Sequence, residues 1–156
     1  LVRSMVNMGC WAKCDLYLRD QLQMLVDVHR ELGFEAFQQL VCVLSFLPEF
    51  YNENKDRLVG PQGAWGELHN NYRTHERLVQ GCIGHDIAER LGEITAPTLV
   101  LHAAKDFVTS PRYTKVIEEG LPNVEAVTME EVAHVVAGRE QKIQFCNHLF
   151  DFLGRH

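Results

Sequence analysis

Long apolar runs are absent from this sequence: none approaches the roughly 18 residues that a membrane-crossing helix requires. The opening Leu1-Val2-Arg3-Ser4-Met5-Val6 also lacks the charged, apolar and small-residue zones of a cleaved leader. A cytoplasmic protein with no membrane contact is therefore expected. Positive charge is scarce as well. Fifteen Lys and Arg stand against twenty-one Asp and Glu, a formal charge of −6, and the basic residues form no stripe, which argues against nucleic acid as a partner. Paired cysteines are the third absence. The five (Cys10, Cys14, Cys42, Cys82, Cys146) are odd in number and widely spaced, with three inside apolar or helical patterns. They read as buried free thiols and not as a disulfide framework. Cys10 and Cys14 have no second Cys or His pair nearby to complete a zinc site. No metal and no cofactor is expected.

What is there is ordinary globular material: 46% hydrophobic and 23% charged residues in 156, enough for roughly one domain with a real core. The texture changes twice. Val2 to Gly9 reads as a strand, about Arg3 to Met8, closed by Gly9, and a chain that opens directly inside a strand reads as cut from a longer one. From Asp15, a plausible N-cap, Leu18, Leu22, Leu25, Val26, His29 and Leu32 recur at helical spacing up to Gly33. A second helix carries Phe37, Leu40, Val41, Leu44 and Leu47 and is expected to end at Pro48. Glu49 to Gly66 reads as loop with a short helix at most, and helical spacing returns between about Trp65 and Leu91.

After Ala96-Pro97 the run Thr98-Leu99-Val100-Leu101-His102 is continuous and apolar, the pattern of a strand buried on both faces of a parallel sheet. Ser110-Pro111 opens a helix that Gly120 closes, Val124 to Met129 is a further strand, and a last helix from about Arg139 to Leu153 puts Ile143, Cys146, Leu149, Phe150 and Leu153 on one face. Strands alternating with helices imply a parallel α/β sheet. Residues 1–14 and 94–156 form its core, of about three strands, and residues 15–93 an inserted helical block.

In parallel sheets chemistry collects beyond the carboxyl ends of the strands. Two such loops hold ionisable residues: Asp106, four residues past His102, and His134, five past Met129. His102, His85 and His148 read as surface or satisfied core groups. The stretch Ile94-x-Ala96-Pro97-Thr98-Leu99-Val100-Leu101-His102-x-x-x-Asp106-x-Val108, followed after 28 positions (134 minus 106) by His134 and a terminal amphipathic helix, resembles the last strand–helix units of the α/β-hydrolase superfamily. The opening Val2 to Trp11 resembles the strand after the nucleophile's own unit, and residues 15–93 resemble the inserted cap, with proportions most similar to those of aminoacrylate hydrolases and enol-lactonases.

The resemblance implies that Asp106 and His134 are the acid and the histidine of a triad whose chain order is nucleophile, acid, histidine. It implies that Trp11, Phe50, Phe107 and Val135 line a substrate pocket, while core packing is an equal or better role for Phe46 and Trp65. No Gly-x-Ser-x-Gly occurs: Ser4, Ser45 and Ser110 lack flanking glycines at the right spacing, and Gly9-Cys10 forms no cysteine equivalent. Ala133 also stands where the family usually has glycine. The expectation is the C-terminal portion of a serine-type hydrolase acting on a small ester, lactone or related acid, with the nucleophile in an N-terminal half outside this sequence. The alternative is a truncated, inactive module that acts in binding or oligomerisation. In either case the opening strand needs a neighbour, supplied by that N-terminal half or by a second copy in a homodimer.

Overall fold

β2 (Thr98–Ala103) is buried along its whole length, as its uninterrupted apolar sequence requires, and everything else in its half of the molecule is arranged around it. A computed structural model describes residues 2–156. In it β1 (Met5–Met8) and β3 (Val124–Met129) flank β2 in a three-stranded sheet of order β1-β2-β3. Both pairings are parallel, from Met5 opposite Thr98 and from Thr98 opposite Val124. Alternation of side chains across the strand sends Val100 to one face, where it packs with Ala12, Leu91, Ile117 and Leu121. Leu99 and Leu101 go to the other, where they meet Phe152. The first face is covered by α5 (Pro111–Gly120), which starts with proline in its first turn, and by the 3₁₀ segment Ala88–Glu93. The second is covered by α6 (Arg139–Arg155).

Residues up to Lys13 together with Ile87–His156 make this sheet unit, and Cys14–Asp86 make a helical unit. The helical unit therefore ends before the 3₁₀ segment, not at residue 93: Leu91 is needed under the sheet, where it is 3% exposed. α6 also differs from expectation. Its buried residue is Phe152, whereas Ile143, Phe150 and Leu153 are exposed. Their shared face is apolar but turned away from the sheet that Phe152 contacts.

In the helical unit, α1 (Leu16–Leu32) is capped by Asp15, whose Oδ1 accepts from the Leu18 amide at 2.9 Å. It buries Leu18, Leu22, Leu25, Val26 and His29. α2 (Phe34–Ser45) follows directly after Gly33. Pro48, expected only to end a helix, begins α3 (Pro48–Leu58) instead, since a proline that cannot continue one helix suits the first turn of the next. The buried Gln38 amide explains why the segment after α3 holds its shape. It accepts from the Gly60 amide (2.6 Å) and donates to the Gly60 and Ala64 carbonyls (3.0 and 2.6 Å), so a polar group at 0% exposure is satisfied. α4 (Tyr72–Ile83) closes the unit. No helix among the described residues is long and apolar enough to cross a membrane.

α1 and α4 meet through two buried histidines. Nδ1 of His29 lies 3.2 Å from Nδ1 of His75, and Phe37 stacks on His29 with centroids 5.0 Å apart. Burial, with His29 adding to it, pushes His75 down to about 4, and burial together with the charge of His69 lowers His29. In the unfolded chain these imidazoles take protons near 6.5. Between about 6.5 and 4 the unfolded state thus binds more protons, and stability present above that window is lost as the pH falls through it. Acidification from pH 7 to 5 is expected to lower the thermal midpoint of the helical unit. The slope is at most about 1.4 kcal/mol per pH unit for each imidazole, and circular dichroism melts of the chain and of His75→Gln check it. The slope should flatten in the variant; equal slopes would remove the histidines as the cause.

Candidate active site

The loops after β2 and β3 are stitched to each other before any side chain is considered. The Ala104 amide donates to the Met129 carbonyl (3.1 Å) and the Lys105 amide to the Val132 carbonyl (2.9 Å), while the Asp106 amide turns back to the Ala103 carbonyl (3.1 Å). Lys105 and Glu131 add an ion pair at the rim. The second loop is held from behind by Gln141 of α6, which accepts from the Ala137 amide at 2.9 Å and donates to the Glu131 carbonyl at 2.7 Å. This backbone lacing brings Asp106 and His134 together across 28 positions of sequence.

The Asp106 carboxylate is filled on both oxygens. Oδ1 accepts from the amides of Val108 (2.7 Å) and Thr109 (2.8 Å), the local turn that aspartate favours. Oδ2 accepts from the Thr109 hydroxyl and from Nδ1 of His134, both at 2.9 Å. The Asp106 side chain is 1% exposed and that of His134 26%, so the acid is sealed while the base is partly open. Burial pushes the Asp106 carboxyl up, but the His134 contact and the Thr109 bonds outweigh it, and the net direction is down. The carboxylate stays ionised and serves as an acceptor for the imidazole proton.

Gly9, at the end of β1, completes the enclosure. It has φ +59°, and a Cβ there would lie 3.3 Å from both Cε1 of His134 and Oγ1 of Thr109. Any side chain would combine left-handed strain with pressure on the imidazole. Ala133, where glycine is usual, is buried at 2% exposure and is not among the residues with positive φ, so its methyl is accommodated.

The structure brings Asp106 and His134 into contact, and the other expected residues fall in both units. Phe107 and Val135 are chain neighbours of the pair; Phe107 is 72% exposed and Val135 half-buried. Trp11 is partly buried at the end of β1, two residues past Gly9, and its indole nitrogen has no hydrogen-bond acceptor among the described residues. Phe50 belongs to the helical unit, where it stacks on Phe46. Phe46 also packs edge-on to Trp65. His102 is a satisfied core group, bonded to Thr114 (2.6 Å) and Glu118 (2.8 Å) of α5. Thr109, Gly9 and Gln141 were not anticipated. The Asp-x-x-Thr spacing of Asp106 and Thr109 was the available signal for the first; Gly9 was read only as a strand terminator.

Among the described residues no serine or cysteine is hydrogen-bonded to His134. Ser45 is buried in α2, and all five cysteines are free thiols. Burial pushes Cys10, just after Gly9, up to about 11, which suppresses the thiolate a nucleophile needs. No group of three or more His, Cys, Asp or Glu among the described residues could hold a metal ion.

No family model matches the chain. The protein named "Putative carbamate hydrolase RutD" in Agrobacterium fabrum is 29% identical over an alignment of 156 positions that covers 98% of this chain and 58% of that protein. The protein of the same name in Azorhizobium caulinodans is 25% identical, over 95% of this chain and 58% of its own. Among solved structures, MGS-M2, an alpha/beta hydrolase enzyme from a Medee basin deep-sea metagenome library, superposes with a TM-score of 0.80 at 23% identity, over 97% of this chain and 56% of its own. The enol-lactonase from Burkholderia xenovorans LB400 does so with a TM-score of 0.81 at 14% identity, over the same shares. The chain thus spans little more than half the length of the proteins it matches.

Proposed function

We propose that this chain, which carries the C-terminal part of the α/β-hydrolase fold, supplies the acid and the general base of a serine-type hydrolase whose nucleophile comes from the fold's N-terminal part. The observation that carries the reading is the contact between a sealed, ionised Asp106 and a partly open His134 beyond adjacent parallel strands. The carboxylate keeps the proton on Nδ1 and steadies the imidazolium. Nε2 then takes the proton of a serine hydroxyl as that oxygen attacks the acyl carbon, and returns it to the leaving group; water repeats the sequence to release the acid. The serine and the oxyanion donors are the N-terminal part's contribution.

The substrate class is a small ester, lactone or related acid derivative. The RutD relatives carry the name of carbamate hydrolase, and a carbamate belongs within that class. Phe107 and Val135 beside the pair and Trp11 at the end of β1 are the proposed substrate contacts. β1 has a strand on one side only among the described residues, and this edge, with the apolar face Ile143, Phe150 and Leu153 of α6, suits docking of the N-terminal part. The same two features carry the alternative of a non-catalytic self-associating module, in which the edge pairs with a second copy.

A fusion tests the choice. Alone, the chain is expected neither to hydrolyse an activated ester above background nor to react with a fluorophosphonate probe. Joined to the N-terminal part of the Agrobacterium fabrum relative, of which this chain covers 58%, it should be labelled at a serine of the added part and hydrolyse the ester. His134→Ala should abolish turnover. Labelling of the chain alone, or a fusion indifferent to His134, would overturn the assignment.

A further inference from the structure

Thr109 stands closer to the proposed acid and base than any role as a loop residue needs. It is 2% exposed, its amide donates to Oδ1 of Asp106, and its hydroxyl lies 2.9 Å from Oδ2 and 3.2 Å from Nδ1 of His134. A hydroxyl has one proton and two lone pairs, so the three atoms admit one consistent arrangement. Oδ2 and Nδ1 are 2.9 Å apart. If Nδ1 lacked a proton, two lone pairs would face each other across that distance; Nδ1 therefore carries it. The hydroxyl proton then has Oδ2 as its charged acceptor, the stronger of its two options, and a lone pair of Oγ1 is turned to the Nδ1 proton.

We propose that Thr109 is a positioning residue for the base: its hydroxyl braces Asp106 Oδ2 and shares the Nδ1 proton of His134, so that the imidazole is held by two oxygens. With Oδ1 fixed by two backbone amides, the carboxylate cannot swing away with the ring. Gly9 lies beside the ring and the hydroxyl, so near that a Cβ there would be 3.3 Å from both Cε1 and Oγ1. Among the described residues Asp106 is the ionisable group in hydrogen-bond contact with His134. The neutral hydroxyl is what distinguishes this arrangement from a bare carboxylate–histidine pair. The inference rests on Asp106 and His134 acting as acid and base.

Nitrogen-15 NMR of the His134 ring in this chain tests it, with water exchange of the Nδ1 proton as the readout. In Thr109→Val, which keeps the shape and removes the hydroxyl, exchange is expected to be about tenfold faster, the change that follows loss of one ordinary hydrogen bond. In Thr109→Ser it should stay near the native rate. Amide exchange along β2 should be the same in all three, which separates bracing from general loosening. An unchanged rate in Thr109→Val overturns the inference. Asp106→Asn separates the two levels of the argument: loss of the Nδ1 proton signal there with an unchanged rate in Thr109→Val refutes only the role of Thr109, whereas no response in either refutes the acid–base pair itself. If the valine variant fails to fold, the native chain decides. A slowly exchanging Thr109 hydroxyl proton with a cross-relaxation peak to the Nδ1 proton is expected, and its absence overturns the proposal.

Discussion

Asp106→Asn, made in the proposed fusion, is expected to lower kcat by about four orders of magnitude with little change in KM, the scale of loss seen when a triad acid becomes an amide. The geometry says why the loss should be that large. Oδ1 faces two backbone amides, from Val108 and Thr109, so the amide oxygen of an asparagine must take that place. Its NH2 group then falls where Oδ2 stood and points its protons at Nδ1 of His134 and at the Thr109 hydroxyl. To accept, the imidazole must give up its Nδ1 proton and carry it on Nε2, the nitrogen that the proposed reaction needs free to receive a serine proton. The substitution should therefore invert the tautomer and not merely weaken a contact. Steady-state kinetics give the loss. A fused Asp106→Asn enzyme within tenfold of the parent would mean that Asp106 does not set the tautomer.

Phe152→Ala is expected to cost about 3–5 kcal/mol, as removal of a fully buried phenyl ring usually does, and domains of ordinary stability have only about 5–15 kcal/mol to lose. Phe152 is 1% exposed and is the contact through which α6 covers Leu99 and Leu101, with Val6, Met8, Val127 and Phe145 packed around it. All three strands contribute to that cluster, so the cavity would open beneath the whole sheet. Phe150→Ala, two positions away but 66% exposed, should change stability by no more than about 0.5 kcal/mol. Urea denaturation of the two variants checks the contrast. Equal costs would mean that α6 is not anchored through Phe152.

The parts of this molecule that were legible in sequence are those where local chemistry and tertiary need agree. Asp15 looked like an N-cap and is one. The run from Thr98 could satisfy its apolar side chains only between two layers, and it lies there. Asp106 and His134 were found because both follow strands, and parallel strands deliver their ends to one side. The misreadings come from residues whose chemistry permits two structures. Pro48 can end a helix or start one, and only the packing of the next segment decides. The Ile143–Phe150 stripe of α6 has the period of a core face, but Phe145 and Phe152 have it too, and the sheet accepted the second pair. Thr109 and Gly9 were missed for a different reason: their importance is a distance to His134, and no local pattern encodes a distance across the sheet.

The way the helical unit is tied off bears on how the chain folds. Met5 and Thr98 are paired although 93 positions apart (98 minus 5), a long search for a four-residue strand. Yet the intervening unit closes on itself: the Cys14 amide donates to the His85 carbonyl at 3.4 Å, and just outside it the Ile87 amide donates to the Ala12 carbonyl at 2.8 Å. Once α1, α2 and α4 have assembled, the chain between β1 and β2 behaves as a loop of roughly 20 residues, about two halvings, which removes about 1 kcal/mol of closure entropy. Helix assembly draws on near neighbours in sequence and is fast, whereas pairing of distant strands is slow. The middle of the chain is thus expected to fold before its two ends meet, so that in refolding followed by pulsed hydrogen exchange the amides of α1 and α4 should be protected earlier than those of β1.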